Sequence, residues 1–213
     1  MKSTARCLAG AVSLLLAGCG GGAQNADGGG TADRNVQEPM PIDVAGNTDA
    51  TVVEGGTCTS VIEEHALEGY NHIPCTSPAS YLSEPPSSGN HYPNWAAYQT
   101  YTTPIPWGHL VHNLEHGAMV IVYNCPEGCA DEVARIQAWI DALPADPVCL
   151  TQRIILAPDP ASPARFAASA WLWTLRADCF DEAAFTTFYT DHYGKAPEAV
   201  CSSGFNTVAD LCR

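Results

Sequence analysis

Apolar and polar positions change texture three times along this chain. A short apolar run from Leu8 to Leu16 follows Lys2 and Arg6, and a polar, aperiodic stretch rich in Gly, Asn and Asp then extends from Cys19 to about Gly56. Between 57 and 110 a proline, glycine or serine interrupts every few positions, which predicts irregular structure. Regular patterning begins at Ala118. Ala118–Tyr123 (AMVIVY) is continuous, apolar and β-branched, as a buried strand requires. From Ala130, residues Val133, Ile136, Ile140 and Leu143 share one stripe, an amphipathic helix ended by Pro144. Arg153–Ala157 (RIILA) predicts a second strand, closed by Pro158 and Pro160. Ser162-Pro163 predicts the start of a helix carrying Phe166, Ala170, Trp173 and Leu175. Asp181 reads as the N-cap of a last helix through about Tyr193, with Glu182 and Phe185 in its first turns. The expectation is an α/β or α+β fold in a single small domain. It would have a short β-sheet covered mainly on one face, about three helices and a loop-rich N-terminal half.

The apolar run near the N-terminus is about ten residues, half of the roughly 20 that a membrane-spanning helix needs. With Lys2 and Arg6 before it and Leu16-Ala17-Gly18-Cys19 after it, the segment has the form of a lipoprotein signal peptide. The predicted organisation is a signal peptide at 1–18, a flexible tether at 19–56 that opens on a lipidated Cys19, and a globular domain at 57–213. Two acyl chains on a diacylglyceryl cysteine give stable membrane anchoring. A Gly-rich coil of the tether's length has an end-to-end distance of about 35 Å, which holds the domain clear of the bilayer. Gly20 stands after Cys19 where an aspartate would signal inner-membrane retention. The expected location is therefore the extracytoplasmic face of the cell envelope, at the outer membrane in a cell that has one.

Charge and cysteine content fit this placement. Nine basic residues face 23 acidic ones, a net charge of −14. Such a surface repels phosphate backbones, so nucleic acid is excluded as a partner. Apart from Cys7 in the signal and Cys19, eight cysteines remain: Cys58, Cys75, Cys125, Cys129, Cys149, Cys179, Cys201 and Cys212. An even number in an oxidising compartment predicts up to four disulfides. Short loops favour Cys58–Cys75, Cys125–Cys129 and Cys201–Cys212, which leaves Cys149 for Cys179. Cys125 and Cys129 have no nearby basic residue to stabilise a thiolate, which favours a structural bond over a redox pair.

The candidate chemistry lies in the histidines. His112 and His116 are four residues apart, so on a helical turn they share a face, with Glu115 beside His112. In a strand they would be about 13 Å apart and unable to share an ion. The polar segment and the stop residue Gly117 favour one helical turn feeding the strand at 118–123. Imidazoles with a carboxylate are borderline ligands suited to zinc or copper. His91 in Ser88-Gly-Asn-His-Tyr-Pro93 and His72 in Asn71-His-Ile-Pro74 complete the candidate set, with Glu115 as ligand or general base. Packing histidines at this spacing are commoner than ligands, so the alternative is a disulfide-stapled interaction module without metal. His65, His109 and His192 have no informative context.

The stretch from Pro85 to Tyr123, with Pro-Pro-Ser-Ser-Gly-Asn-His-Tyr-Pro and then Val-His-Asn-Leu-Glu-His-Gly, resembles a family of exported bacterial proteins known as domain of unknown function 3105. The likeness continues through Ile155-Leu-Ala-Pro, Ala168-Ser-Ala-Trp171 and Phe188–Tyr193. It implies that His72, His91, His112, Glu115 and His116 are shared motif positions, and it brings no established activity. Members often carry a cysteine where this chain has Tyr98, so any ligand role of that cysteine is missing here. His112-x-x-Glu115-His116 also matches the inverted zinc-peptidase signature. That enzyme needs a long helix under the motif and a distant acidic ligand, for which only Glu182 is placed, and Gly117 cuts the helix short. Enzymatic activity is left open.

Overall fold

The structure, a computed structural model, describes residues 51–55 and 58–212, with side chains from Cys58 onward. The segment read as a signal peptide, Cys19 and the segment read as a tether, as far as residue 50, lie outside the described residues. The elements are β1 (Thr51–Gly55), β2 (Cys58–Glu64), α1 (Trp107–Glu115), β3 (Met119–Tyr123), α2 (Ala130–Ala142), β4 (Ile154–Pro158), β5 (Phe166–Ala170), β6 (Trp173–Ala177), α3 (Glu182–His192) and the single turn α4 (Val208–Leu211). They form one small domain around a mixed six-stranded sheet of order β1-β2-β6-β5-β3-β4. β3 and β4 are parallel and are linked through α2; the other pairs are antiparallel. β1 occupies the last residues of the segment read as tether.

The patterning at 118–123, 130–143 and 153–157 gives β3, α2 and β4 almost residue for residue. Asp181 caps α3 as expected, its Oδ1 accepting the Ala183 N–H at 3.0 Å. The helix predicted from Ser162 is instead the β5–β6 hairpin, with Ala170 paired to Trp173 and Leu172 in the left-handed region at φ 67°. Every residue of β5 is buried, so no polar position marks the strand period. Its alanines also favour a helix in isolation.

Both faces of the sheet are covered, not one. Met119, Ile121, Leu156 and Phe166 pack with Ile136 and Trp139 of α2 and Phe185 and Phe188 of α3. The alternate positions Val120, Val122, Ile155 and Ala167 pack with Leu110, Val111 and Leu114 of α1 and with Ala96, Tyr101 and Ile105 of the irregular half. This is the period-2 alternation of a strand buried on both sides. The irregular half can be buried because its polar groups are satisfied. Glu68 accepts the backbone N–H groups of Leu82 and Ser83, Ser88 Oγ accepts that of Glu68, and Ser83 and Ser87 share a hydroxyl contact of 3.0 Å.

The disulfides are Cys58–Cys179, Cys75–Cys212, Cys125–Cys129 and Cys149–Cys201, with Cα separations of 5.4, 5.6, 5.8 and 5.0 Å. Only the Cys125–Cys129 pairing matches the short-loop expectation; Cys58–Cys75, Cys201–Cys212 and Cys149–Cys179 are overturned. Loop length ranks pairings only where topology is silent. Here β2 runs antiparallel to β6, and continuing the Ser60–Ala177 register by two residues sets Cys58 opposite Cys179.

Candidate metal centre

α1 carries the centre. Leu110, Val111 and Leu114 bury one side of the helix against β3 and β4, which turns His112, Glu115 and the C-cap His116 toward the irregular half. The helix runs nine residues, longer than the single turn expected, and stops where predicted. Gly117 has φ +84°, its N–H bonds to the Leu114 carbonyl, and the Ala118 N–H reaches back to Asn113. That double bond is the Schellman stop. A Cβ at 117 would lie 2.6 Å from Arg153 Nη1, which donates to the His116 carbonyl, so glycine is required here on two counts. Arg153 is fully buried and is held by Asp146 at 2.9 Å. Burial works to raise Asp146. Bonds from Tyr193, from the Cys149 and Val148 N–H groups and from Arg153 outweigh it and hold the carboxyl at about 2.

His72 and His91 arrive on two extended segments that pair in parallel. Gly89 N–H donates to Gly69 O, His91 N–H to Asn71 O and Ile73 N–H to His91 O. Ladder partners direct their side chains to the same face, so the two rings stand together, centroids 4.9 Å apart. His112 lies 4.7 and 4.8 Å from them. The ligand atoms of His72, His91, His112 and Glu115 all lie within 4.8 Å of one another. His72 is exposed, while His91, His112 and Glu115 are buried.

Tautomers are fixed at two of the rings. His91 Nδ1 is 2.9 Å from Gly89 O and His112 Nδ1 is 2.7 Å from Tyr92 O. A carbonyl only accepts, so each Nδ1 carries a proton, and in the neutral ring each Nε2 presents a lone pair. His91 Nε2 then faces Glu115 Oε2 at 3.0 Å without a hydrogen bond. Two acceptors in contact inside a protein call for a proton or a metal ion between them. Imidazoles whose far nitrogen donates to a backbone carbonyl are typical of metal ligands. Burial pushes His112 down to about 3; the Tyr92 bond opposes this and the neighbouring imidazoles add to it. His116 is also pushed down by burial, to about 4, against the charge of Glu115. Both rings are therefore in the neutral, ligating form over the physiological range.

Of the five residues expected to converge, four do. His116 stands beside them, its Nε2 3.1 Å from His112 Nε2 and 3.3 Å from Glu198 Oε2. Trp95 lies against both rings, at 4.9 Å from His112 and 4.6 Å from His116. Glu198 was not foreseen, and no local pattern in the sequence marks it. It is brought in by a strap in which Gly194 N–H bonds to Gly117 O and Glu198 N–H to Glu115 O. Glu182, the residue placed for a peptidase, sits on α3, which packs on the opposite face of the sheet from α1. Burial raises the Tyr98 hydroxyl pKa, and the charge of Arg153 opposes it.

The three histidines set aside are structural. His65 bonds Thr174 Oγ1 at 2.7 Å, and His192 stacks on Trp173 with centroids 4.1 Å apart. His109 Nδ1–H donates to Asn94 O at 2.7 Å, and the ring lies against Cys75 and Cys212. Those two sulfurs are bonded to each other and offer no thiolate.

No curated protein and no solved structure matches the chain. The model of one family, described as a protein of unknown function (DUF3105), matches residues 72–203, a span that contains every residue of the cluster from His72 to Glu198. With more than half of its length so matched, the chain belongs to the DUF3105 family.

Proposed function

We propose that this domain binds a transition-metal ion, zinc or copper, through His72, His91, His112 and Glu115. We further propose that acyl chains on Cys19 hold it at the extracytoplasmic face of a membrane, the outer one where two exist. The observation that carries the metal reading is the buried meeting of His91 Nε2 with Glu115 Oε2 inside a set whose ligand atoms all lie within 4.8 Å. Three imidazoles and one carboxylate form a borderline donor set suited to zinc or copper(II); with no thiolate or thioether in it, copper(I) is disfavoured. Burial of three ligands gives retention, and the exposed His72 gives an ion a route in and out. That combination suits a protein that holds or passes on metal in the envelope.

The test is metal content of mature protein produced in an oxidising compartment, measured by elemental analysis after equilibration with micromolar zinc or copper. Wild type should retain stoichiometric metal. His91→Ala and His112→Ala should weaken binding by more than the roughly 10–100-fold that losing an outer partner of a ligand costs. Replacing His192 should change nothing. If wild type takes up neither ion, or the two alanine variants bind as wild type does, the reading fails. The rings would then be packing groups of a disulfide-stapled interaction module.

A further inference from the structure

The histidines and acids of this region form two sets that meet at Glu115. His72, His91, His112 and Glu115 make one; Glu115, His116 and Glu198 make the other, again with ligand atoms within 4.8 Å of one another. We propose that the second set holds a second transition-metal ion, with the two oxygens of Glu115 bridging the pair. This rests on the first site being a metal site.

His116 carries the argument. Its side chain is 3% exposed, and Nδ1 makes no hydrogen bond to a protein group. Consider the two neutral forms. If Nε2 carries the proton, a bare Nδ1 lone pair is buried and unmatched. If Nδ1 carries it, a buried N–H has no acceptor. The Nε2 lone pair then faces the His112 Nε2 lone pair at 3.1 Å and the Glu198 carboxylate at 3.3 Å. Lone pairs and a carboxylate converging on one point repel unless a cation lies among them. One ion at His116 and Glu198 relieves the convergence at Nε2 in the second form, as one at His91 and Glu115 relieves the neighbouring contact. A carboxylate between two ions about 3.5–4 Å apart is a recurring arrangement in two-metal sites.

The strap is built to deliver Glu198. Its backbone is bonded to Gly117 and Glu115 at the end of α1, and Cys201 ties it to Cys149. The Glu198 side chain is 53% exposed, so it is not there to fill the core. An ion held by one buried imidazole, one shared carboxylate and one surface carboxylate should bind more weakly and exchange faster than its neighbour.

The experiment counts ions. Metal-free mature protein is titrated with Zn²⁺ alone, by calorimetry and elemental analysis. Wild type should saturate at two ions per chain, in a tight and then a weaker step. Glu198→Gln keeps the shape of a half-exposed side chain and should saturate at one, with the tight step unchanged; His116→Ala should do the same. With Cu²⁺, wild type should show coupled ions, visible as lost paramagnetic signal, and Glu198→Gln should restore the full signal of one isolated ion. Wild type saturating at one ion, or Glu198→Gln still binding two, overturns the second site and leaves the first. Uptake of no ion overturns both.

Discussion

At the level of single residues, Gly108 in the first turn of α1 bears on the His112 ring from a distance. A Cβ there would lie 2.4 Å from the Tyr92 ring, and the Tyr92 carbonyl is the group that holds His112 Nδ1–H. Gly108→Ala should therefore push Tyr92 away, costing about 1–3 kcal/mol and weakening zinc binding by roughly 10–100-fold. Denaturant unfolding and zinc titration read the two effects, and wild-type values in both would show that Tyr92 does not set the ring. His192 offers a test through pH. Burial against Trp173 lowers it to about 4, so the folded protein keeps it neutral where the unfolded chain, titrating near 6.5, takes a proton. The unfolded state then binds more protons, so this contribution is intact above pH 6.5 and is lost as pH falls toward 4. The loss is at most about 1.4 kcal/mol per pH unit. Urea midpoints measured from pH 7.5 to 4.5 should fall less steeply for His192→Phe than for wild type, and equal slopes would refute the assignment. Local spacing made His112, Glu115, His116 and the Gly117 stop legible in the sequence, because a helical turn is a property of neighbours. Neither Gly108 nor Glu198 was legible. Their roles depend on Tyr92 and on a strap, which only the folded chain brings into contact.

Among the elements, those with one apolar stripe or a β-branched run, β3, α2 and β4, follow directly from their patterning. The β5–β6 hairpin does not, since a strand buried on both faces has no polar alternation to reveal it. The first two strands were missed for a related reason. β2 is placed by pairing with β6, more than a hundred residues away, and β1 by pairing with β2, not by their own pattern. That pairing also decides the disulfides, and their loop lengths make a quantitative contrast. Cys58–Cys179 spans 121 residues and Cys125–Cys129 spans 4. In the chain-entropy model these close loops worth about 5 and about 2 kcal/mol. Replacing each pair with serines should therefore lower the free energy of unfolding by more for the first than for the second. Equal losses would show that strain or residual structure, and not loop closure, governs these bonds.

On the scale of the whole molecule, the proposed lipid anchor can be tested at one residue. Cys19→Ser should move it from the membrane fraction to the soluble extracytoplasmic fraction; continued membrane association would sink the lipid anchor. The connectivity described above has a further consequence, for the order in which the protein can be made. A chain threaded through a membrane from its N-terminus brings out Cys58 and Cys75 early. Their partners follow only 121 and 137 residues later, and Cys149 waits a further 52 for Cys201. The helix with His112 and Glu115 is thus outside well before Glu198 and the last cysteines that lock the structure around it. With the proposed export and metal site, metal capture would be a terminal event of biogenesis, open only to a copy that has left the reducing cytoplasm. A molecule stranded inside would keep its thiols free and its strap unfastened, so geography itself would act as the safeguard against scavenging ions from the wrong side.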